Sequence, residues 1–259
     1  MIVNEKAGFA FTHIQKCGGT SVKEYLLNIE GSQYVEPEKG YCHSCVLDMP
    51  QYRNLFNFAI IRNPLHWYLS TYFFGKRANN LESRIFGDVN KMTFKEWLPN
   101  ILNPKNSIIE AEVWDSEIGF AVPKEIITEG RLDVGWFTYR FLYGVCGKHK
   151  WIFQYWSKEE ILKFYPLVID INCLIPLEEL DSLLFPVLSK NTKISKQPKK
   201  LGKKNSTTYN REIEAHYDKE MLDMVYKQEA LFFELHYKAD NTEPWYRSNH
   251  DRDTPIHKR

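Results

Sequence analysis

The sequence predicts an α/β fold in three layers, with a mainly parallel central sheet and flanking helices. Three segments carry that prediction. Residues 8–14 (GFAFTHI) form an alternating apolar run, pass through a glycine-containing turn, and lead into 20–29 (TSVKEYLLNI). In that second stretch Val22, Tyr25, Leu26 and Ile29 recur at helical spacing. The same order returns at 56–61 (FNFAII), followed by a helical pattern through Leu65, Tyr68, Leu69, Tyr72 and Phe73 up to Gly75. A third strand is expected at 167–174 (LVIDINCL), with a helix over 176–188. Strands alternating with helices point to parallel pairing, because a parallel connection needs a crossover.

The elements follow in order. Thr20 or Ser21 is the expected cap of the first helix. Residues 30–52 read as loop. Arg62-Asn63-Pro64 ends the second strand, and Pro64 suits the first turn of a helix. Phe94, Trp97 and Leu98 suggest a short helix. The aromatic stretch 134–146 (VGWFTYRFLYGVC) fits a helix or a strand, and is more readily core than a sugar platform. Lys190 to Lys204 holds seven lysines with Gly and Pro and reads as a flexible basic loop. Glu212 to His236 reads as one long amphipathic helix, with Met221, Leu222, Val225, Leu231, Phe232 and Leu235 on its apolar side. Residues 240–259 are polar and read as a mobile tail. The whole chain, 1–259, is expected to form one domain, with 76–165 a variable segment over the acceptor side.

Composition narrows the function classes. The 34 Lys plus Arg against 33 Asp plus Glu leave a formal charge of +1, so no basic excess marks a nucleic-acid binder. No run of about 18 apolar residues exists, so no membrane span is expected. The first residues lack a basic segment followed by an apolar one, so no signal peptide is expected, and the reading is cytoplasmic. Cys17, Cys42, Cys45, Cys146 and Cys173 read as reduced thiols. Cys42 and Cys45 make one CxxC, but structural zinc takes four ligands and no second pair follows, so no metal is expected.

The first strand-to-helix loop, His13-Ile14-Gln15-Lys16-Cys17-Gly18-Gly19-Thr20-Ser21, has the ingredients of an anion site. Two glycines let backbone N–H groups wrap a ligand closely. The helix N-terminus adds positive partial charge. Lys16 adds a full charge, and Thr20 and Ser21 add hydroxyl donors. A plain turn with a solvated lysine would need less than this. The loop is not a Walker A loop, because Lys16 precedes Gly18 and Gly19 instead of following the last glycine. At the second strand end, Arg62 and Ser70 are placed for another anion contact, since ligands of parallel sheets bind at the carboxyl ends of strands. Alone, Arg62 would be read as structural; its weight comes from the first loop.

Together the two stretches resemble a family. FAFTHIQKCGGTSV resembles the 5′-phosphosulfate loop of PAPS-dependent sulfotransferases, typified by HIPKTGGTS in the carbohydrate sulfotransferases. IIRNPLHWYLSTYF resembles their 3′-phosphate segment, RxPxxRxxSxY, in the same order and with the same spacing from Arg62 to Ser70. Residues 207–237 resemble the family's C-terminal region. Three departures stand out: Cys17 for the usual Thr, Gln15 for the common Pro, and Trp67 for the second Arg. An ion pair usual in the family must therefore be absent here or supplied elsewhere.

The resemblance implies a P-loop-like nucleotide site for PAPS as sulfuryl donor, with PAP as product and no metal. Lys16 and the backbone from Cys17 through Gly18, Gly19, Thr20 and Ser21 would hold the 5′-phosphosulfate. Arg62 and Ser70 would hold the 3′-phosphate, and Lys203, Lys204 and Asn205 would fold over it. The acceptor would be a hydroxyl on a glycan or small molecule. In the heparan 2-O-sulfotransferase-like branch a His shortly before the second strand looks like the base, which points to His43; a lone loop histidine would otherwise be read as a surface residue. His13 competes, more plausibly as support for the loop, and Asp48 stays open. Two other readings are a P-loop-like nucleotide kinase or ATPase and a non-catalytic nucleotide-binding protein of the same fold.

Overall fold

A computed structural model of the chain describes residues 1–35, 49–78, 81–103, 134–146, 157–168, 171–196, 209–210 and 212–236. His43, Cys42, Cys45, Asp48, Lys203, Lys204, Asn205 and the tail lie outside the described residues.

The strands are β1 (Ile2–Asn4), β2 (Phe9–Thr12), β3 (Gln33–Tyr34), β4 (Phe56–Ile61) and β5 (Cys173–Pro176), in the sheet order β3-β1-β2-β4-β5. The described helices are α1 (Gly19–Leu27), α2 (Pro64–Ala78), α3 (Leu81–Phe86), α4 (Phe94–Leu102), α5 (Trp136–Cys146), α6 (Lys158–Val168), α7 (Leu180–Asn191), α8 (Lys219–Gln228) and α9 (Ala230–His236). The sheet is parallel where it matters for a ligand. β2 pairs β4 with Thr12 opposite Ala59, and β4 pairs β5 with Ile61 opposite Pro176. All six residues of β4 are buried, as expected of a strand with parallel neighbours on both sides.

An antiparallel edge, β1 and β3, extends the parallel centre. Residues 2–4 are too few for an alternating pattern to be visible. The turn that joins β1 to β2 is made by Asn4, whose Oδ1 accepts from the Ala7 N–H at 2.7 Å, and by Gly8 at φ 87°. Inside the sheet a polar ladder links the parallel strands. Asn57 N–H donates to Asn172 Oδ1 at 2.7 Å, Asn172 N–H donates to Asn57 O at 2.7 Å, and Thr12 Oγ1 donates to Asn57 Oδ1 at 3.3 Å. These buried amides find partners in one register only, so they fix the alignment of the strands.

Three expectations need correction. The strand expected at 167–174 is shifted: α6 runs to Val168 and β5 covers 173–176. The apolar run was ambiguous because a short apolar stretch fits either element. The helix expected over 212–236 is two helices, since α8 begins after Asp218, whose side chain accepts from Met221 N–H, and breaks at Glu229. The first helix is capped neither by Thr20 nor by Ser21. Its cap is Gly18, left-handed at φ 73° and without a side-chain cap bond.

The core explains the aromatic stretch. Trp136, Phe137, Phe141 and Leu142 of α5 are all fully buried, and Phe137 packs against Trp67 and Phe232. So 134–146 is a core helix. Its N-terminus is held by Glu229, whose carboxylate accepts from Phe137 N–H at 3.1 Å, Thr138 N–H at 2.9 Å, Thr138 Oγ1 at 2.5 Å and the Tyr68 hydroxyl. The carboxylate at the α8–α9 break thus satisfies two of the orphan backbone donors of α5, those of Phe137 and Thr138.

Candidate functional site

The carboxyl ends of β2, β4 and β5 put three loops on one rim. They are the loop from His13 to Gly18, the Arg62-Asn63 corner and the turn at Leu177–Glu179. Contacts join them. Asn63 N–H donates to Glu178 Oε1 at 3.1 Å, and Leu177 lies where a Cβ on Gly18 would be. Gly18 is therefore required both by its positive φ and by close packing. At Gly19 an added Cβ would overlap the His13 imidazole. His13 thus packs on the loop, as the supporting role expected of it requires.

The loop is unusual at a second residue. Lys16 takes a positive φ of 62°, rare for a residue with a Cβ. Three neighbours hold this conformation. Arg62 Nη1 donates to the Lys16 carbonyl at 3.2 Å, Trp67 Nε1 donates to the Gln15 carbonyl at 3.0 Å, and Arg140 donates to the Gln15 side-chain oxygen. The Arg62 guanidinium also donates to the Tyr209 hydroxyl at 3.3 Å. Trp67 and Gln15 entered the sequence reading only as departures from a motif. Here they are partners, and the fully buried indole supplies a loop contact. Nothing in the sequence pattern pointed to Arg140, which reaches the loop from a helix 125 residues further on.

Electrostatics follow from burial. The Lys16 ammonium sits 3.5 Å from the centroid of the Phe74 ring, and Arg77 lies over the same ring at 5.3 Å. Burial lowers the Lys16 pKa to about 8, with Arg62 and Arg77 adding to the effect and Glu82 opposing it. Cys17 is buried, and burial pushes its thiol well above the ordinary range, so it is a packing group and no nucleophile.

Lys16, Gly18, Gly19 and Arg62 are thus brought together. Thr20 is exposed and Ser21 half-buried at the start of α1. Ser70 is half-buried on α2, with no hydrogen bond to Lys16 or Arg62 among the described residues. Beside Arg62, Phe73 and Tyr209 stack with centroids 4.5 Å apart, and His216 meets both edge-on. The arrangement offers a cation, a guanidinium and a helix N-terminus whose cap side chain occupies none of the first N–H groups. Groups of this kind are able to bind a small anion.

Residues 1–118 match the sulfotransferase family. The matched span contains the loop, α1, Arg62 and Ser70, and stops short of α5. No curated protein and no solved structure matches the chain. Among the described residues no group of His, Cys, Asp or Glu is arranged to hold a metal ion, and no helix is long and apolar enough to cross a membrane.

Proposed function

We propose that the chain is a PAPS-dependent sulfotransferase that moves a sulfuryl group to a hydroxyl of a glycan or small-molecule acceptor. The observation that carries this reading is the junction of the two anion-binding stretches, where Arg62 holds the carbonyl of Lys16. The match of residues 1–118 to the sulfotransferase family supports it.

In this reading Lys16, the backbone of Cys17 and the amides from Gly18 to Ser21 hold the 5′-phosphosulfate. Arg62 and Ser70 hold the 3′-phosphate, with Lys203, Lys204 and Asn205 closing over it. The acceptor oxygen attacks sulfur in line, and the bond from sulfur to the 5′-phosphate oxygen breaks with its electron pair left on phosphate. Lys16 neutralises that oxygen, and His43 takes the acceptor's proton. The products are PAP and a sulfate ester.

Calorimetry with PAP and ATP, followed by a labelled-PAPS transfer screen across acceptor classes, tests the reading. Micromolar PAP binding with weak ATP binding is expected. Tight ATP binding without PAP binding overturns it. His43→Ala should cut turnover strongly and leave PAP binding near normal; unchanged turnover removes His43 as the base.

A further inference from the structure

The Arg62 guanidinium is tied at both of its terminal nitrogens. Nη1 donates to the Lys16 carbonyl at 3.2 Å and Nη2 to the Tyr209 hydroxyl at 3.3 Å. Two such bonds set the plane of the group, and among the described residues its other N–H groups meet no acceptor. Tyr209 is itself clamped. Its ring stacks on Phe73 with centroids 4.5 Å apart and 12° between the planes, and His216 meets both rings edge-on. His216 Nε2 donates to the Asn210 carbonyl at 2.8 Å, and Glu212 N–H donates to Asn210 Oδ1 at 3.0 Å, so the segment that carries Tyr209 is folded back on itself. Phe73 follows Ser70 on α2 at i,i+3 spacing, which puts both on one side of that helix. A guanidinium only donates, so the Tyr209 oxygen accepts from Arg62 and the phenol's one O–H is turned elsewhere. Among the described residues no acceptor takes it.

We propose that Tyr209 is a further anion-binding residue: it fixes the Arg62 guanidinium and donates its own hydroxyl hydrogen to the phosphate that Arg62 holds. The hydroxyl expected to act with Arg62 is that of Ser70, yet among the described residues Ser70 makes no hydrogen bond to Arg62, whereas Tyr209 makes one. A hydroxyl that accepts from a cation is polarised into a better donor. The stack on Phe73 holds the ring in place beforehand, so little rotamer freedom is lost when an anion binds. Tyr209 lies outside residues 1–118, so the family match does not assign it. That the anion is the 3′-phosphate of PAP rests on the function proposed above. The pairing of Tyr209 with Arg62 in one anion site does not.

The test separates the two. Tyr209→Phe keeps the ring on Phe73 and deletes only the hydroxyl. Calorimetry on the full chain compares PAP with adenosine 5′-monophosphate, which lacks the 3′-phosphate, and with inorganic pyrophosphate, which lacks the nucleoside. PAP affinity should fall about tenfold or more in Tyr209→Phe, while that of the monophosphate holds. In an Arg62→Ala chain the same change should cost only about threefold or less, because the two residues serve one group. Wild-type PAP affinity in Tyr209→Phe overturns the proposal, and so does full additivity with Arg62→Ala. Equal losses for PAP and the monophosphate, or loss of folding in urea unfolding, also overturn it, since the hydroxyl would then serve the fold. If wild type binds pyrophosphate but not PAP, and Tyr209→Phe and Arg62→Ala each weaken pyrophosphate, the anion site stands and the proposed function falls. Pyrophosphate binding that neither variant weakens, or no binding of either ligand by wild type, sinks both.

Discussion

The guanidinium of Arg62 donates a hydrogen bond to the backbone carbonyl of Lys16 across 3.2 Å. The two residues are 46 positions apart and lie just beyond the ends of neighbouring parallel strands, Lys16 in the loop after β2 and Arg62 directly after β4. The bond braces the loop in its positive-φ form and ties its backbone to the guanidinium at the end of the neighbouring strand. Arg62 is one of the two cations that favour loss of the Lys16 proton.

Replacing Arg62 tests that junction. Arg62→Lys keeps the charge but cannot bond the Lys16 carbonyl and the Tyr209 hydroxyl together with a ligand. Hydrogen bonds to charged groups are worth about 1.5–3 kcal/mol, so PAP affinity should drop roughly 10- to 100-fold. Calorimetry reads this directly. Wild-type affinity in Arg62→Lys would show that the bond is incidental.

Lys16 should cost stability. Its folded pKa is lowered to about 8 by burial, from 10.5 for the free side chain. Below pH 8 both folded and unfolded chains hold the proton, and the full penalty is present. Between 8 and 10.5 the unfolded chain binds more protons, so stability rises with pH as the penalty is relieved. Lys16→Met should therefore be more stable at pH 7 by about 2 kcal/mol, with the gap closing towards pH 10.5. Urea unfolding from pH 6.5 to 10 measures it. A gap that does not change with pH contradicts the account.

Gly19 and His13 form a steric pair. Gly19→Ala would place a methyl in the His13 ring, an overpacking expected to cost about 1–3 kcal/mol and to displace the loop. PAP binding should weaken by about tenfold or more. His13→Ala in the same chain should recover much of that loss, since it removes the obstacle. A double variant no better than Gly19→Ala would place the cause elsewhere.

Glu229 should matter for folding and not for ligand binding directly. Glu229→Gln turns an acceptor that receives four donor groups into one that sets its own N–H₂ against them. A loss of about 2–4 kcal/mol is expected in urea unfolding. Thr138→Val removes one donor and should cost about 1 kcal/mol. If Glu229→Gln unfolds at the wild-type urea concentration, α5 does not depend on this cap.

Much of the site was legible because its logic is local. A strand end, two glycines, a lysine and a helix start lie within nine consecutive residues, His13 to Ser21, so neighbouring residue types suffice to recognise it. Arg62 was legible for the same reason, by its place at the end of an apolar run. The braces were not. Trp67 and Arg140 act on the loop, and Tyr209 on Arg62, from other parts of the chain, and no periodicity marks a side chain whose partner is 52, 125 or 147 residues away. Glu82 was invisible too, because a glutamate on a short helix reads as surface until its burial is known.

The sequence by itself determined the α/β order, the parallel pairing at the ligand rim and the residues of the first loop. Those follow from hydrophobic period, turn chemistry and the short range of backbone sterics. Only the tertiary structure decided that Lys16 is left-handed and half-sunk against Phe74, that a tryptophan stands as loop support where the motif has an arginine, and that a break at Glu229 caps α5. Each of these depends on burial and on bonds between distant segments, and burial is a property of the packed chain that no local pattern of residues contains.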